Sequence, residues 1–326
     1  MAAETDLAPA LARLAPRLGG AGVEGLRQLS GGASHETWAF RLAGSGTPLI
    51  LRRAPAADRP GKPPAGVETE ARVIARARAA GVPVPHILLV LEPQDGAGRG
   101  YVMERVEGET LPARIFRDPA YAPGREGFAA QAGRILAALH RTSHEGLPLE
   151  ALTPEKALRD LADRHREFGQ PRPVFSLALR WLADRIPAAR APRLVHGDFR
   201  MGNLMLGPEG VRAVLDWELC HIGDPLADLG WLCMASWRFG AVPPVGGMGD
   251  RETLWAAYEA AGGEPVDPAA ARWWEVHGAL RWGVICEEMG EWVRSGVDRS
   301  VERHVIARRA SETELVLLLD LMGRAA

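Results

Sequence analysis

Among long stretches of helical pattern the chain carries one short island of strand character. It reads Leu194-Val195-His196-Gly197-Asp198-Phe199-Arg200-Met201-Gly202-Asn203-Leu204-Met205-Leu206, and after a Gly207-Pro208-Glu209-Gly210 turn continues Val211-Arg212-Ala213-Val214-Leu215-Asp216-Trp217-Glu218. Two short apolar runs separated by a Gly/Pro turn predict a β-hairpin. Such a hairpin would hold Asp198, Asn203 and Asp216 near one another. A polar cluster set among apolar strands needs partners or a use, because burying it unpaired is costly.

The rest of the chain falls into two parts. Leu7, Leu11, Leu14 and Leu18 recur at helical spacing and stop at Gly19-Gly20. The small-residue turn Leu29 to Ser34, the alternating stretch His35 to Leu42 and the apolar run Pro48 to Arg53 predict strand, glycine turn, strand, turn, strand. Residues 54–66, rich in Pro, Ala and Gly, read as a loop. Glu68 to Ala80 reads as a helix closed by Gly81 and the Pro83/Pro85 pair, and strands follow at Ile87–Leu91 and Tyr101–Glu104. After Gly108 helical patterns dominate, at 124–141, 154–187, 225–237, 251–262, 268–293 and 300–323. At 326 residues two lobes are the natural expectation. The expected fold class is α+β: a small antiparallel-sheet lobe over residues 1–105 and a larger, mostly helical lobe over 106–326.

Charge narrows the partners. A net charge of −2 gives no support to nucleic acid or an anionic membrane as the main partner. Cys220, Cys233 and Cys286 are too few for a disulfide framework and form no Cys-x-x-Cys pair. The first residues lack the basic-then-apolar pattern of a secretory leader, and no apolar run approaches the roughly 20 residues that span a bilayer. A reduced, cytoplasmic protein is expected, a monomer by default with a dimer left open.

The polar cluster suits phosphoryl transfer, in which the protein mainly positions reactants and neutralises charge. A carboxylate can orient an attacking hydroxyl and accept its proton, while an Asn amide oxygen and a second carboxylate hold magnesium, which prefers oxygen ligands and keeps several waters. The spacing Asp-x4-Asn from Asp198 to Asn203, with Asp216 after the hairpin, matches a kinase catalytic loop.

The strings HGDFRMGN, LDWE and GDPLADLGW closely resemble the aminoglycoside phosphotransferase and choline kinase superfamily, nearest to the kinase-like domains associated with acyl-CoA dehydrogenases. The resemblance covers nearly the whole chain and implies a bilobal protein-kinase-like fold. It further implies an ATP- and Mg2+-dependent kinase acting on a small-molecule hydroxyl. On that resemblance Asp198 is the catalytic base, and Asn203 and Asp216 are the metal ligands. His196 is expected to be scaffold, Asp228 a buried brace for the loop, and Asp224-Pro225 a helix start. Whether Glu218 faces the site or braces the loop stays open.

The same resemblance makes Ser30, Gly31, Gly32, Ala33 and Ser34 the loop over the ATP phosphates; the sequence has no Walker A motif, so a P-loop mechanism is not expected. Arg52 stands where a kinase lysine is usual, with Glu70 as its partner. It is preferred to Arg53 because side chains alternate along a strand and Ile50 shares its face. The hinge is expected around Glu104 and Val106.

The acceptor is less legible. Trp255, Trp273, Trp274, Trp282 and Trp292 could line a pocket, although aromatics at helical spacing are more often core. Glu287, Glu288 and Glu291 could meet a polycation or form a solvated face. The run Arg294, Arg299, Arg303, Arg308 and Arg309 could meet the phosphates of a coenzyme A thioester or make ordinary ion pairs. Family likeness favours a hydroxyacyl-CoA or another metabolic alcohol. The competing readings are an aminoglycoside phosphotransferase and a non-catalytic ATP-binding pseudokinase, the latter motivated by Arg52 alone.

Overall fold

A computed structural model describes residues 2–29, 35–55 and 66–323, with side chains from residue 7 onward. The first helix, α1 (Ala2–Leu14), ends in a 3-10 turn at Ala15–Leu18. Strands β1 (Val23–Gln28), β2 (Glu36–Leu42) and β3 (Pro48–Arg53) follow, then helix α2 (Val67–Ala79) and strands β4 (Ile87–Val90) and β5 (Gly100–Glu104). The five strands make one antiparallel sheet in the order β1-β2-β3-β5-β4.

The two-residue period of this sheet decides what each face does. Leu49 and Leu51 of β3 are buried with Trp38, Phe40 and Leu42 of β2 against Leu7, Leu11 and Leu14 of α1. Ile50 and Arg52 therefore lie on the opposite face, toward α2. The buried stripe of α2 recurs at helical spacing as Val67, Glu70, Ala71, Ile74 and Ala77. Glu70 is the anomaly on that stripe, a fully buried carboxylate in an otherwise apolar row.

Helices then dominate: α3 (Pro112–Arg117), α4 (Ala122–Glu126), α5 (Phe128–His140), α6 (Pro154–Phe168), α7 (Pro173–Ala183), α8 (Leu226–Cys233), α9 (Arg251–Ala260), α10 (Pro268–Arg294) and α11 (Val301–Leu321). Two small sheets sit among them. Strands β6 (Ala151–Leu152), β7 (Arg193–Val195) and β10 (His221–Gly223) form one. The expected hairpin forms the other, from β8 (Leu204–Gly207) and β9 (Gly210–Val214). The mixed sheet-and-helix architecture agrees with the expected fold class.

Two helix expectations are corrected, the first because 124–141 is two helices, α4 and α5, parted at Gly127. Residues 154–187 do not form a single helix: α6 ends at Phe168 and α7 begins at Pro173. The intervening Gly169-Gln170-Pro171-Arg172-Pro173 breaks it, because proline disfavours helical backbone in the residue before it and opens a new helix at its own first position. The loop expected at 54–66 falls largely on residues 56–65, outside the described residues.

The hairpin is clamped from several sides. The Glu109 amide donates to the Leu206 carbonyl (2.8 Å) and the Val214 amide to the Pro83 carbonyl (2.8 Å). The Gln131 side chain of α5 pairs with both backbone groups of Val211. Helices α8 and α10 approach closely at Gly230, where an added Cβ would lie 2.8 Å from the Glu275 nitrogen. That contact sets Trp231 over the loop between β7 and β8. Among the described residues no helix is long and apolar enough to cross a membrane, and the three cysteines are free and buried.

Candidate functional site

The loop after β7 turns sharply at Gly197, whose φ is +79° and whose Cβ position would lie 2.4 Å from the Leu219 carbonyl oxygen. Only glycine fits there without displacing backbone. Fully buried Asp228 of α8 fixes the turn by accepting the amides of His196 (2.8 Å) and Gly197 (2.9 Å). His140 Nε2 reaches the same carboxylate at 3.2 Å, and its Nδ1 lies 2.9 Å from the Tyr258 hydroxyl. Burial opposes the charge on Asp228, but these hydrogen bonds and the neighbouring histidines outweigh it and hold the carboxyl below its usual range.

His196 is scaffold. Its Nδ1 accepts the Asp198 amide (3.1 Å), so the ring proton sits on Nε2 and is donated to the Leu215 carbonyl (3.1 Å). Burial keeps its pKa below the ordinary histidine value, and the ring is neutral. One imidazole thereby ties the loop carrying Asp198 to the strand end carrying Asp216. The Leu215 amide donates to the Asn203 carbonyl (2.8 Å) and adds a second tie.

The Asp198 carboxylate is held by three N–H groups. Oδ1 accepts from Trp231 Nε1 (2.8 Å) and Arg200 Nε (2.9 Å), and Oδ2 from Asn203 Nδ2 (2.6 Å). Since Asn203 spends its amide nitrogen on Asp198, its amide oxygen is the end left to meet a cation. Asp216 has φ +66°, in the left-handed region that a residue with a side chain rarely adopts. Such strain persists where surrounding structure imposes it, and it clusters at functional sites.

On the sheet side, Arg52 and not Arg53 turns toward these residues. Arg52 Nη2 donates to Asp216 Oδ1 (2.5 Å) and Glu218 Oε2 (3.3 Å), and its Nε lies 3.2 Å from Glu70 Oε1. Arg53 instead pairs with Glu36 (2.7 Å) and lies over the Trp38 ring. Burial opposes the charge on Arg52, but Glu70, Asp216, Tyr101 and Glu218 outweigh it and raise its pKa above the usual value. Burial pushes Glu70 up, against the pull of Arg52. Glu218 does both things left open by the sequence: it pairs with Arg52 and lines a cavity beside the loop.

Other expected residues are less central. Ser30, Gly31, Gly32, Ala33 and Ser34 lie outside the described residues. The Glu104 side chain accepts the His86 amide (2.9 Å) and its own amide donates to the His86 carbonyl, so that residue is committed to holding β4. Trp273 and Trp274 are buried, their indoles donating to the Leu182 carbonyl and to Asp224, and Trp274 also lines the cavity beside the loop, as Trp273 does not. Glu287, Glu288 and Glu291 each pair with a nearby cation, as do Arg294, Arg303 and Arg309 with nearby carboxylates. Two residues that the sequence left without a role, Trp231 and Arg200, touch Asp198. Trp231 closes the GDPLADLGW string, which was the available signal.

The cation site can be tested against its residues. One amide oxygen and one carboxylate with an unengaged oxygen make a hard-oxygen pair that fits magnesium shared with phosphate groups, and no closed protein cage is needed. Among the described residues no group of three or more His, Cys, Asp and Glu offers such a cage.

Comparison with known proteins identifies the family and the fold. Residues 25–274 match the profile of the phosphotransferase enzyme family. The chain is 30% identical over 241 residues to acyl-CoA dehydrogenase family member 10 of Mus musculus, covering 70% of this chain and 22% of that protein. It is 34% identical over 225 residues to family member 11 of Gallus gallus, covering 65% of this chain and 28% of that protein. It thus spans less than a third of either relative. Among solved structures, a candidate aminoglycoside phosphotransferase from Ralstonia eutropha superposes with TM-score 0.73 at 24% identity, over 91% of this chain and 92% of that one. Aminoglycoside phosphotransferase APH(4)-Ia, in a ternary complex with AMP-PNP and hygromycin B, gives 0.65 at 18% identity over 99% of both chains. These structural likenesses establish the fold, and the profile match spans most of the sequence, including the Asp198 loop and Asp216. The chain belongs to the phosphotransferase enzyme family.

Proposed function

We infer that the protein transfers the γ-phosphoryl group of ATP to a hydroxyl of a small molecule, with Asp198 as the catalytic base. The observation that carries this reading is the convergence of Asp198, Asn203, Asp216 and Arg52 at one end of the hairpin. Asp198, oriented by three N–H donors, aligns the acceptor hydroxyl and takes its proton as the new P–O bond forms. Asn203 and Asp216 would hold magnesium, which offsets phosphate charge when bound. Arg52 would meet the phosphates, keeping Glu70 while yielding its contact to Asp216; its planar fork grips them differently from a lysine. Ser30 to Ser34 would cover the phosphates, with the chain around Val106 facing adenine. The lobes would divide near residue 105, with the protein acting as a cytoplasmic monomer.

The acceptor we favour is a hydroxyacyl-CoA or a similar metabolic alcohol, in keeping with the acyl-CoA dehydrogenase relatives. A polycationic aminoglycoside is a poorer fit, because the acids of α10 that could receive it already have cations beside them. A pseudokinase has no need of the complete Asp198, Asn203 and Asp216 set. The test is ADP release from Mg-ATP with hydroxyacyl-CoA thioesters, aminoglycosides, choline and simple sugars side by side. Stimulation by a hydroxyacyl thioester, lost in Asp198→Asn, supports the reading. Stimulation only by aminoglycosides would replace the acceptor, and nucleotide binding without any turnover would favour the pseudokinase.

A further inference from the structure

A cavity of about 540 Å³ opens beside the catalytic loop, between α6, α10 and the segment joining Asp216 to β10. Its wall includes Gly197 and Trp231, which adjoin Asp198, so a molecule seated there lies next to the base. Four of the acids along it already have cations: Glu150 and Asp160 share Lys156, Glu288 pairs with Arg164, and Glu218 pairs with Arg52. Glu167 stands exposed at the rim.

Arg281 is the exception. It projects from α10 onto the loop, donates from Nη1 to the Gly197 carbonyl (2.9 Å) and packs its guanidinium over the Trp231 ring, 4.6 Å from the centroid. It makes no ion pair among the described residues. An arginine has five N–H donors and stays charged, so a carbonyl and an aromatic face leave most of its capacity unused. One turn earlier on α10, His277 lines the same cavity, only 6% exposed, and its Nε2 has no hydrogen-bond partner among the described residues. Burial, helped by Arg281, pushes the His277 pKa down to about 3, so it stands as a neutral ring with an unsatisfied nitrogen. Buried polar atoms without partners are rare in folded proteins, and each needs an explanation.

We propose that Arg281 is the specificity determinant for the acceptor, binding a carbonyl or carboxylate oxygen a few bonds from the hydroxyl that reaches Asp198. The proposal rests on the phosphotransfer reading and adds the group that selects the acceptor. Arg281 is the cation along the cavity without an ion pair among the described residues, and it meets the residue next to the base. An acceptor with an oxo group near its hydroxyl satisfies both. A diol of the same length leaves the guanidinium unpaired.

The test compares kcat/KM for hydroxybutyrate, its pantetheine thioester, a butanediol and an aminoglycoside, using the full chain with Mg-ATP. The wild type should prefer the carbonyl-bearing compounds over the diol by roughly tenfold or more, the size of a charged hydrogen bond. Arg281→Met should bring that ratio close to unity, mainly through KM, with Arg281→Lys intermediate. An unchanged ratio in Arg281→Met overturns the proposal even if overall activity falls, since a purely structural role would lower all acceptors together. Should Arg281→Met not fold, Arg281→Lys and Arg281→Gln carry the same ratio test, and an unchanged ratio in both overturns it. A wild type that uses the diol as well as the thioester defeats this proposal alone. A wild type that uses none of the acceptors defeats the phosphotransfer reading with it.

Discussion

Two arginines approach the Asp198 loop and the strand end after it, one from the sheet and one from a helix, and they are provisioned differently. Arg52, from the sheet, sits among Glu70, Asp216 and Glu218. Arg281, from the longest of the described helices, touches a carbonyl and an indole face and pairs with no carboxylate among the described residues. The first belongs to a network that ties the sheet to the hairpin, and removing it would strand a buried acid. The second offers an anchor for something the protein does not itself supply. Charge neutralised in place organises a site, whereas charge left over shapes what the site accepts.

The largest effect should come from the group between the two. Asp198→Asn should lower turnover roughly 10²–10⁴-fold, the range for loss of a general base, while ATP still binds. Steady-state rates with calorimetric nucleotide titration check it, and near-normal turnover would remove Asp198 as the base.

Breaking the Arg52 side should cost stability as well as activity. Arg52→Met leaves Glu70 buried without its cation, a change worth about 3–5 kcal/mol for a buried pair. Denaturant unfolding should show that loss, with weaker nucleotide binding. A variant as stable as the parent would mean that Glu70 is satisfied some other way.

The cavity side should show itself through pH. The folded-state pKa of His277 is depressed from 6.5 to about 3, so the unfolded chain takes up this proton first as pH falls. Stability from the neutral ring is present above pH 6.5 and is lost as pH falls toward 3; between pH 7 and pH 5 the loss is about 2 kcal/mol. Buried His196 and His221 shift in the same direction. His277→Leu should therefore flatten the acid limb of a stability–pH curve without abolishing it. An identical slope would mean that His277 titrates normally. The smallest effect is the acceptor ratio at Arg281, roughly tenfold, where the lysine variant sharpens the comparison by keeping charge and losing the fork.

What the sequence made legible follows the range of the contacts. Asp198, Asn203 and Asp216 lie within one hairpin, so turn chemistry and spacing were enough to place them together. The choice of Arg52 over Arg53 followed from strand alternation, whereas Asp228 as a brace came with the family resemblance. The break between α6 and α7 was visible as Gly169-Gln170-Pro171-Arg172-Pro173 but lost among flanking residues of strong helical pattern. Arg281 was not legible. Its partner Gly197 is 84 positions away, and α10 is buried on several faces, so no apolar stripe marks which residues meet the cavity. Arginines 294 to 309 drew attention as a run, yet most of them form ordinary pairs with nearby acids.

The most direct test of the account follows the phosphoryl group itself. The protein is incubated with ATP labelled at the γ-phosphate, magnesium and a hydroxyacyl-CoA thioester, and the label is traced by mass spectrometry in wild type and Asp198→Asn. The account predicts label on the acceptor hydroxyl in the wild type and almost none in the variant at equal nucleotide occupancy. Label transferred equally by both proteins, or released from both only as free phosphate, would contradict it.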